Sequence, residues 1–226
     1  MATPESKRLY GFSDAQLIQR SDALLNTLNR DLNELSARGV DALRVDTLQQ
    51  ARNTFDLLST DVEEQSGVSI AATAKTTFRT QLEKTIRSIR GMAETQFGRS
   101  GHYKTFGFDD LTRLTDNDLV RCGRRVHRVA TALMPLLASE GLTPTLLIRL
   151  ADDTDMLDQT IDAVGAAEET RDIRTQERVQ AGNALFEQLS KLAKIGQSFY
   201  ADTHAAKYND YFIDDQPTPP ADSPAA

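Results

Sequence analysis

The sequence of 226 residues contains no tryptophan and one cysteine, Cys122. A single thiol excludes an internal disulfide framework and any cysteine-rich zinc or iron–sulfur site. No apolar run approaches the roughly 20 residues that cross a bilayer. The polar stretch from Met1 to Arg8 also lacks the apolar core of a signal peptide. We therefore expect a cytoplasmic protein with no membrane partner.

Basic residues are fewer than acidic ones. Lysine and arginine total 26 against 33 aspartates and glutamates, so the formal net charge is −7. General nucleic-acid binding requires many cations that replace the counterions condensed on the phosphate backbone. The charge balance therefore predicts no nucleic-acid partner.

Proline is almost absent from the body of the chain, where only Pro135 and Pro144 lie between Pro4 and Pro217. Apolar residues recur there at the three- and four-residue spacing of helices, and no segment alternates with period two over a useful length. This pattern predicts an all-α fold. Residues 1–12 form an N-terminal leader, and the proline- and alanine-rich residues 214–226 are expected to be a disordered tail.

The sequence resembles itself when it is shifted by about 102 residues. The shift aligns Asp14 with Asp116, Leu17 with Leu119, Leu48 with Leu150, Asp56 with Asp158, and Phe97 with Phe199. We interpret this as an internal duplication, which predicts two tandem three-helix repeats over 13–112 and 113–213. The six predicted helices cover residues 14–38, 42–65, 69–98, 116–139, 144–167 and 170–201.

Residues that begin and end helices recur at equivalent places in the two repeats. Ser13 and Thr115 occupy N-cap positions, and Gly39 and Gly141 follow the first helix of each repeat as left-handed stops. Pro135 should kink or tighten the fourth helix near its end. The short turns predict an elongated antiparallel up-and-down bundle of six long helices, and two separate three-helix bundles are the alternative.

Arginines cluster on the fourth helix and aspartates on the fifth. Such stripes can bind phosphate or a divalent metal, but a regular antiparallel hairpin at Gly141 would place them opposite each other. The expected ion pairs are Arg128 with Asp155, Arg125 with Asp158, and Arg121 with Asp162. The basic third helix is likewise expected to face the acidic second helix. We therefore expect these charges to set the helix register, each exposed pair contributing about 0–1 kcal/mol.

Residues with catalytic or metal-binding chemistry are few. None of the three histidines belongs to a Glu-x-x-His or His-x-x-x-His spacing, which argues against a ferritin-like di-iron bundle. A nucleophilic Cys122 would need a positioned base, and His127 is displaced by about 140° on the helix. We predict no catalytic residues, no cofactor and no metal site.

Aromatic residues concentrate outside the long helices, in three related segments. Their members are Tyr10 and Phe12; Tyr103, Phe106 and Phe108; and Tyr208, Tyr211 and Phe212. In one interpretation these rings close the open ends of the apolar core, where they bury the most area. In the other they form docking surfaces for a partner or a second copy of the chain.

The leading functional hypothesis is a non-enzymatic cytoplasmic protein that acts by protein–protein contact, as an adaptor, scaffold or assembly component. Its partner would be another protein or a second copy of itself, contacted through the aromatic segments. The alternative is a bundle that holds a small molecule between its helices, lined by Cys122, His127 and Thr160. An enzyme ranks third, because no acid–base or nucleophile spacing is recognisable.

Overall fold

The computed structural model describes residues 7–108 and 110–213, and these residues form helices and connecting turns without a β-strand. The predicted all-α class is confirmed. The helices are α1 (Asp14–Leu35), α2 (Ala42–Asp56), α3 (Asp61–Phe97), α4 (Gly101–Phe106), α5 (Asp116–Ala132), α6 (Met134–Leu137), α7 (Pro144–Tyr200) and α8 (Ala205–Asn209). The predicted tail, 214–226, and the first six residues of the leader lie outside the described residues.

The predicted helix caps are confirmed. The side chain of Ser13 accepts from the backbone N–H of Gln16, whose own side chain accepts from the backbone N–H of Ser13. The Thr115 side chain caps α5 in the same position. Gly39 and Gly141 adopt φ of 75° and 97° after the first helix of each predicted repeat, a conformation that side chains with a Cβ rarely adopt.

Pro135 ends the fourth predicted helix earlier than expected. The regular helix α5 stops at Ala132, and the short helix α6 carries Pro135 in its first turn. Proline has no N–H to donate and clashes with the preceding helical turn, so it is accommodated at a helix start. The helix expected over 116–139 is therefore two helices and a short 3₁₀ turn.

Two further helix boundaries differ from the prediction. The second helix ends at Asp56 rather than 65, and α3 begins at Asp61 rather than 69 because Thr60 and Glu63 form a capping box there. The turn expected at 168–169 is absent, and α7 runs without interruption from Pro144 to Tyr200. Alanine and glutamate dominate residues 166–169, and both favour helix.

The chain divides into two compact units. Unit 1 comprises Met1–Ser59 and Ile173–Ala226, and unit 2 comprises Thr60–Asp172. In unit 1, α1 packs against α2 and the C-terminal part of α7 over one apolar cluster. In unit 2, α3 packs against α5 over a second cluster that also takes residues from the start of α7. Each unit therefore combines helices from both predicted repeats.

The predicted ladder of ion pairs between α5 and α7 is wrong in its register. Arg124, not Arg125, pairs with Asp158, at 2.5 Å. The Arg125 side chain donates instead to the backbone carbonyls of Phe106 and Gly107. The break after Ala132 inserts α6 and a 3₁₀ turn into the connection, so the hairpin is not regular.

The basic residues of α3 also have a different partner from the one expected. Lys75 and Arg79 pair with Asp116 at the start of α5, at 2.9 and 2.5 Å. The acidic residues Asp61, Glu63 and Glu64, which fall within the predicted second helix over 42–65, form the first turn of α3 itself. These carboxylates lie at the positive end of the α3 helix dipole.

Neighbouring arginines on α5 should differ in their contributions to stability. We expect Arg125→Ala to lower the free energy of unfolding by about 1–2 kcal/mol, because its charged hydrogen bonds to two carbonyls are partly buried. Arg124→Ala removes an exposed ion pair and should cost less than about 1 kcal/mol. Chemical denaturation of both variants measures the difference, and equal losses would contradict this assignment.

Candidate functional site

The structure places the eight aromatic candidates in two groups. The first and third segments lie in unit 1, and the middle segment lies in unit 2. Tyr10, Phe106 and Tyr211 are buried, and the other five rings are half-buried. The three buried rings are therefore part of the cores, and only the half-buried ones retain surface for a partner.

In unit 2, the middle aromatic segment covers one side of the apolar cluster. Phe106 stacks on Phe108 at 4.9 Å between ring centroids, and Tyr103 lies 5.4 Å from Phe108. Arg90 Nε donates to the Tyr103 hydroxyl at 3.1 Å, and Arg125 holds the carbonyls of this segment. These contacts pack the three rings within unit 2.

In unit 1, the N-terminal segment is anchored to α7 near Asn183. The Leu9 N–H donates to the Asn183 side chain at 2.8 Å, and the Asn183 amide donates to the Lys7 carbonyl at 2.9 Å. The Tyr10 hydroxyl donates to Asp14 at 2.9 Å. Burial, together with that acceptor carboxylate, raises the pKa of Tyr10 to about 12. The segment is thereby held against the helix.

The C-terminal segment, residues 205–213, is anchored to α7 near Gln197 and to α1. Gln197 donates to the Tyr211 carbonyl at 2.8 Å, and the Tyr211 hydroxyl donates to Asp31 at 3.0 Å. The Tyr211 ring lies so close to the Gly196 backbone that a Cβ at position 196 would overlap it. The glycine is therefore required for this close approach.

Asp31 is the centre of a charge cluster that ties α1 to the C-terminal segment. Its side chain is 1% exposed and accepts from Arg30 at 2.7 Å and from Lys207 at 2.9 Å, in addition to Tyr211. Burial alone would raise the pKa of Asp31. The hydrogen bonds from Arg30, Lys207 and Tyr211 outweigh that effect and lower its pKa to about 2.

The pKa values of the other groups in this cluster are shifted as well. Hydrogen bonds to Glu34 and Asp31 raise the pKa of Lys207 above its ordinary range. Hydrogen bonds from Lys207 and Tyr200 lower the pKa of Glu34. Burial, reinforced by the bond to Asp31, raises the pKa of the Tyr211 hydroxyl. At neutral pH the carboxylates and the lysine are ionised and both tyrosines are neutral.

The sequence patterns above do not predict this cluster, although one feature of the sequence indicates it. The shift of 102 residues sets Asp31 opposite Leu133, so a carboxylate stands where the other repeat has an apolar residue. Such a replacement at a core position indicates a buried charge that needs partners. Arg30 is adjacent to Asp31, but the other two partners, Lys207 and Tyr211, lie about 180 positions further along the chain, where no spacing rule reaches.

Between its two anchored segments, α7 presents an open groove. This groove, called the α7 groove below, follows α7 from Phe186 to Gln197 and has a volume of about 800 Å³. Leu9 borders it from the N-terminal segment, and Phe212 and Ile213 border it from the C-terminal segment. One of the predicted interaction residues, Phe212, therefore lines this groove.

Arg20 of α1 joins the two segments that border the α7 groove. Its guanidinium lies 4.1 Å from the centre of the Phe12 ring and also donates to the Ile213 carbonyl. Phe12 in turn contacts Phe186 of the groove, at 5.9 Å between centroids. A cation–π contact of this kind contributes about 0.5–2 kcal/mol. The groove walls are therefore preformed rather than assembled by a ligand.

No family model, curated protein or solved structure matches this chain. Among the described residues, no three His, Cys, Asp or Glu side chains are grouped to hold a metal ion. Over the same residues, no helix combines the length and the apolar character needed to cross a membrane.

The three candidate ligand-lining residues have different surroundings in unit 2. Cys122 is buried in the apolar cluster of unit 2. The Thr160 hydroxyl donates back to carbonyls of its own helix. His127 lines a separate hollow of about 220 Å³ between α5 and α7, which neither of the other two borders.

Proposed function

We propose that the protein is a non-enzymatic, cytoplasmic adaptor or assembly component that binds a segment of a partner protein in the α7 groove. The observation that carries this proposal is the groove itself, preformed between two anchored segments of the chain. Its apolar side chains and polar rim match the anatomy of protein interfaces, in which an apolar centre is surrounded by polar groups. The half-buried ring of Phe212 supplies the kind of aromatic contact that such interfaces use.

The shape of the groove favours a chain segment over a small molecule. Small-molecule sites enclose most of the ligand surface, whereas the α7 groove is open to solvent. Its helical floor spans 11 residue steps, or about 16 Å. That length accommodates about five extended residues or three helical turns of a peptide. The alternative of a ligand between the helices has no comparable support at Cys122, His127 and Thr160.

The internal duplication remains part of the proposal. Equivalent caps at Ser13 and Thr115 and equivalent left-handed glycines at Gly39 and Gly141 support it. The α7 groove nevertheless depends on Leu9 and Ile213, which lie in the segments before α1 and after α8. A duplicated scaffold would thus carry one binding surface that the repeat did not duplicate.

Site-specific photo-crosslinking tests the proposed function. A photoreactive residue replaces Ser190, which lines the groove, or Ser198, which is exposed on the same helix outside it. We expect a partner to be crosslinked in its native cell from position 190 and not from position 198. The partner is then purified, and its Kd is measured directly.

Matched substitutions complete that test. Ser190→Tyr places a ring in the groove and should weaken binding of the purified partner at least tenfold. Ser198→Tyr makes the same change outside the groove and should leave the Kd unchanged. Equal crosslinking from both positions, or a Kd that Ser190→Tyr does not alter, would overturn the proposal.

A further inference from the structure

Resting on the proposed function, we infer that the α7 groove binds an acidic peptide segment that carries one or two large apolar side chains. The charges of the groove provide the first argument. Lys191 and Lys194 lie at its rim, one turn apart on α7, and both are exposed. Neither forms an ion pair with any described residue.

A third cation extends this basic rim. Arg44 of α2 and Lys191 together border a neighbouring hollow of about 170 Å³. Arg44 is also exposed and likewise has no ion pair within the described residues. Among the described residues, Glu187 is the one carboxylate that lines the groove. The described basic side chains at the groove therefore outnumber the acidic ones, in a chain with a net charge of −7. This local excess of positive charge favours an acidic partner.

The apolar part of the groove provides the second argument. Phe186, Phe212 and Ile213 line it, and their half-buried side chains leave surface for a partner's apolar side chain. Leu9 is 53% exposed beside them. Apolar anchors surrounded by charges are the usual arrangement of peptide-binding grooves, in which the anchor contributes affinity and the charges contribute specificity.

The concave shape favours a peptide over an anionic membrane, which also attracts lysines beside apolar groups. A membrane surface is nearly flat and receives apolar groups that protrude from the protein. Of the described apolar side chains that line the groove, Ala193 is buried, Phe186, Phe212 and Ile213 are half-buried, and only Leu9 is more than half exposed. A narrow segment of chain can reach these side chains, whereas a lipid surface cannot.

Selection from a displayed library of random peptides, about 12 residues long, on the full-length protein tests this inference. We expect the selected peptides to carry aspartate or glutamate around one or two large apolar residues. Replacing their acidic residues with Asn or Gln should raise the Kd, measured by fluorescence anisotropy, at least tenfold. Lys191→Gln combined with Lys194→Gln should raise it similarly.

Control variants separate this inference from the proposed function. Lys84→Gln with Lys104→Gln removes two exposed lysines of unit 2 and should leave the Kd unchanged. Selected peptides could lose binding to the Ser190→Tyr variant and yet bind the wild type equally well without their acidic residues. That result would overturn the acidic chemistry alone. If no selected peptide loses binding to the Ser190→Tyr variant, the proposed function would be overturned too. The protein could instead bind vesicles of equimolar phosphatidylserine and phosphatidylcholine, and Ser190→Tyr could abolish that binding. This result would identify a membrane, and not a peptide, as the ligand of the groove.

Discussion

Asp31→Ala is expected to lower the free energy of unfolding by about 2–4 kcal/mol at neutral pH. The substitution leaves the buried Tyr211 hydroxyl without its acceptor and removes the carboxylate that Arg30 and Lys207 share. Asp22→Ala on the same helix is the matched control, because Asp22 is half-exposed in its pair with Arg52. It should cost less than about 1 kcal/mol. Equal losses in the two variants would contradict the role of burial.

The stabilisation that the Asp31 carboxylate contributes should decrease as the pH falls. Its folded pKa of about 2 lies below the ordinary value of 3.8, so the folded state binds fewer protons than the unfolded state. The stabilisation is therefore fully present above about pH 5 and is lost as the pH falls toward 2. Over that window the stability difference between wild type and Asp31→Ala should shrink by about 2–3 kcal/mol. A difference that stays constant down to pH 2 would contradict this account.

Gly196→Ala is expected to lower the free energy of unfolding by about 1–3 kcal/mol, although alanine normally stabilises a helix. The added Cβ would overlap the Tyr211 ring, which is fully buried, and overpacking of this kind forces the ring or the helix to move. In the same helix, Gly165 is exposed and has no atom within 4 Å of such a Cβ. Gly165→Ala should therefore stabilise the protein by about 0.5–1 kcal/mol.

A double substitution identifies the cause of the Gly196 effect. If the clash with Tyr211 is responsible, the cost of Gly196→Ala should largely vanish in a Tyr211→Ala background. Thermal or chemical denaturation of the four proteins measures this coupling. A cost that persists without the Tyr211 ring would show that position 196 is sensitive for another reason.

Local features of the fold were predictable from the sequence. The caps at Ser13 and Thr115 and the left-handed glycines Gly39 and Gly141 lie where the sequence predicts them. Each depends on hydrogen bonds that span only three or four residues, so neighbouring residues suffice to specify it. The helical class follows for the same reason, because one face of each helix repeats its apolar residues at short range.

The turn expected near residue 168 shows where that reasoning failed. The prediction relied on symmetry between the repeats rather than on a cap in the local sequence. In the first repeat Thr60 and Glu63 provide a helix start, whereas residues 166–169 contain strong helix formers and no proline. The local residues therefore specified the continuous helix α7, and the repeat-based expectation did not apply.

The candidate site could be predicted only in part. Phe212 was singled out from the sequence as an interaction residue, and it lines the α7 groove. The sequence gives no reason to single out Lys191, Lys194 and Leu9, because isolated lysines and leucines are common on protein surfaces. Only their common position beside one groove distinguishes them from other exposed residues.

The sequence by itself determined the helical class, the helix caps at Ser13 and Thr115, and the left-handed turns at Gly39 and Gly141. The tertiary structure decided which helices share a core, what surrounds Asp31, and where the α7 groove lies. These depend on contacts between residues far apart in the chain, such as Tyr211 with Asp31 and Leu9 with Asn183. Short-range spacing cannot encode which distant segments meet, since that outcome follows from packing the whole chain.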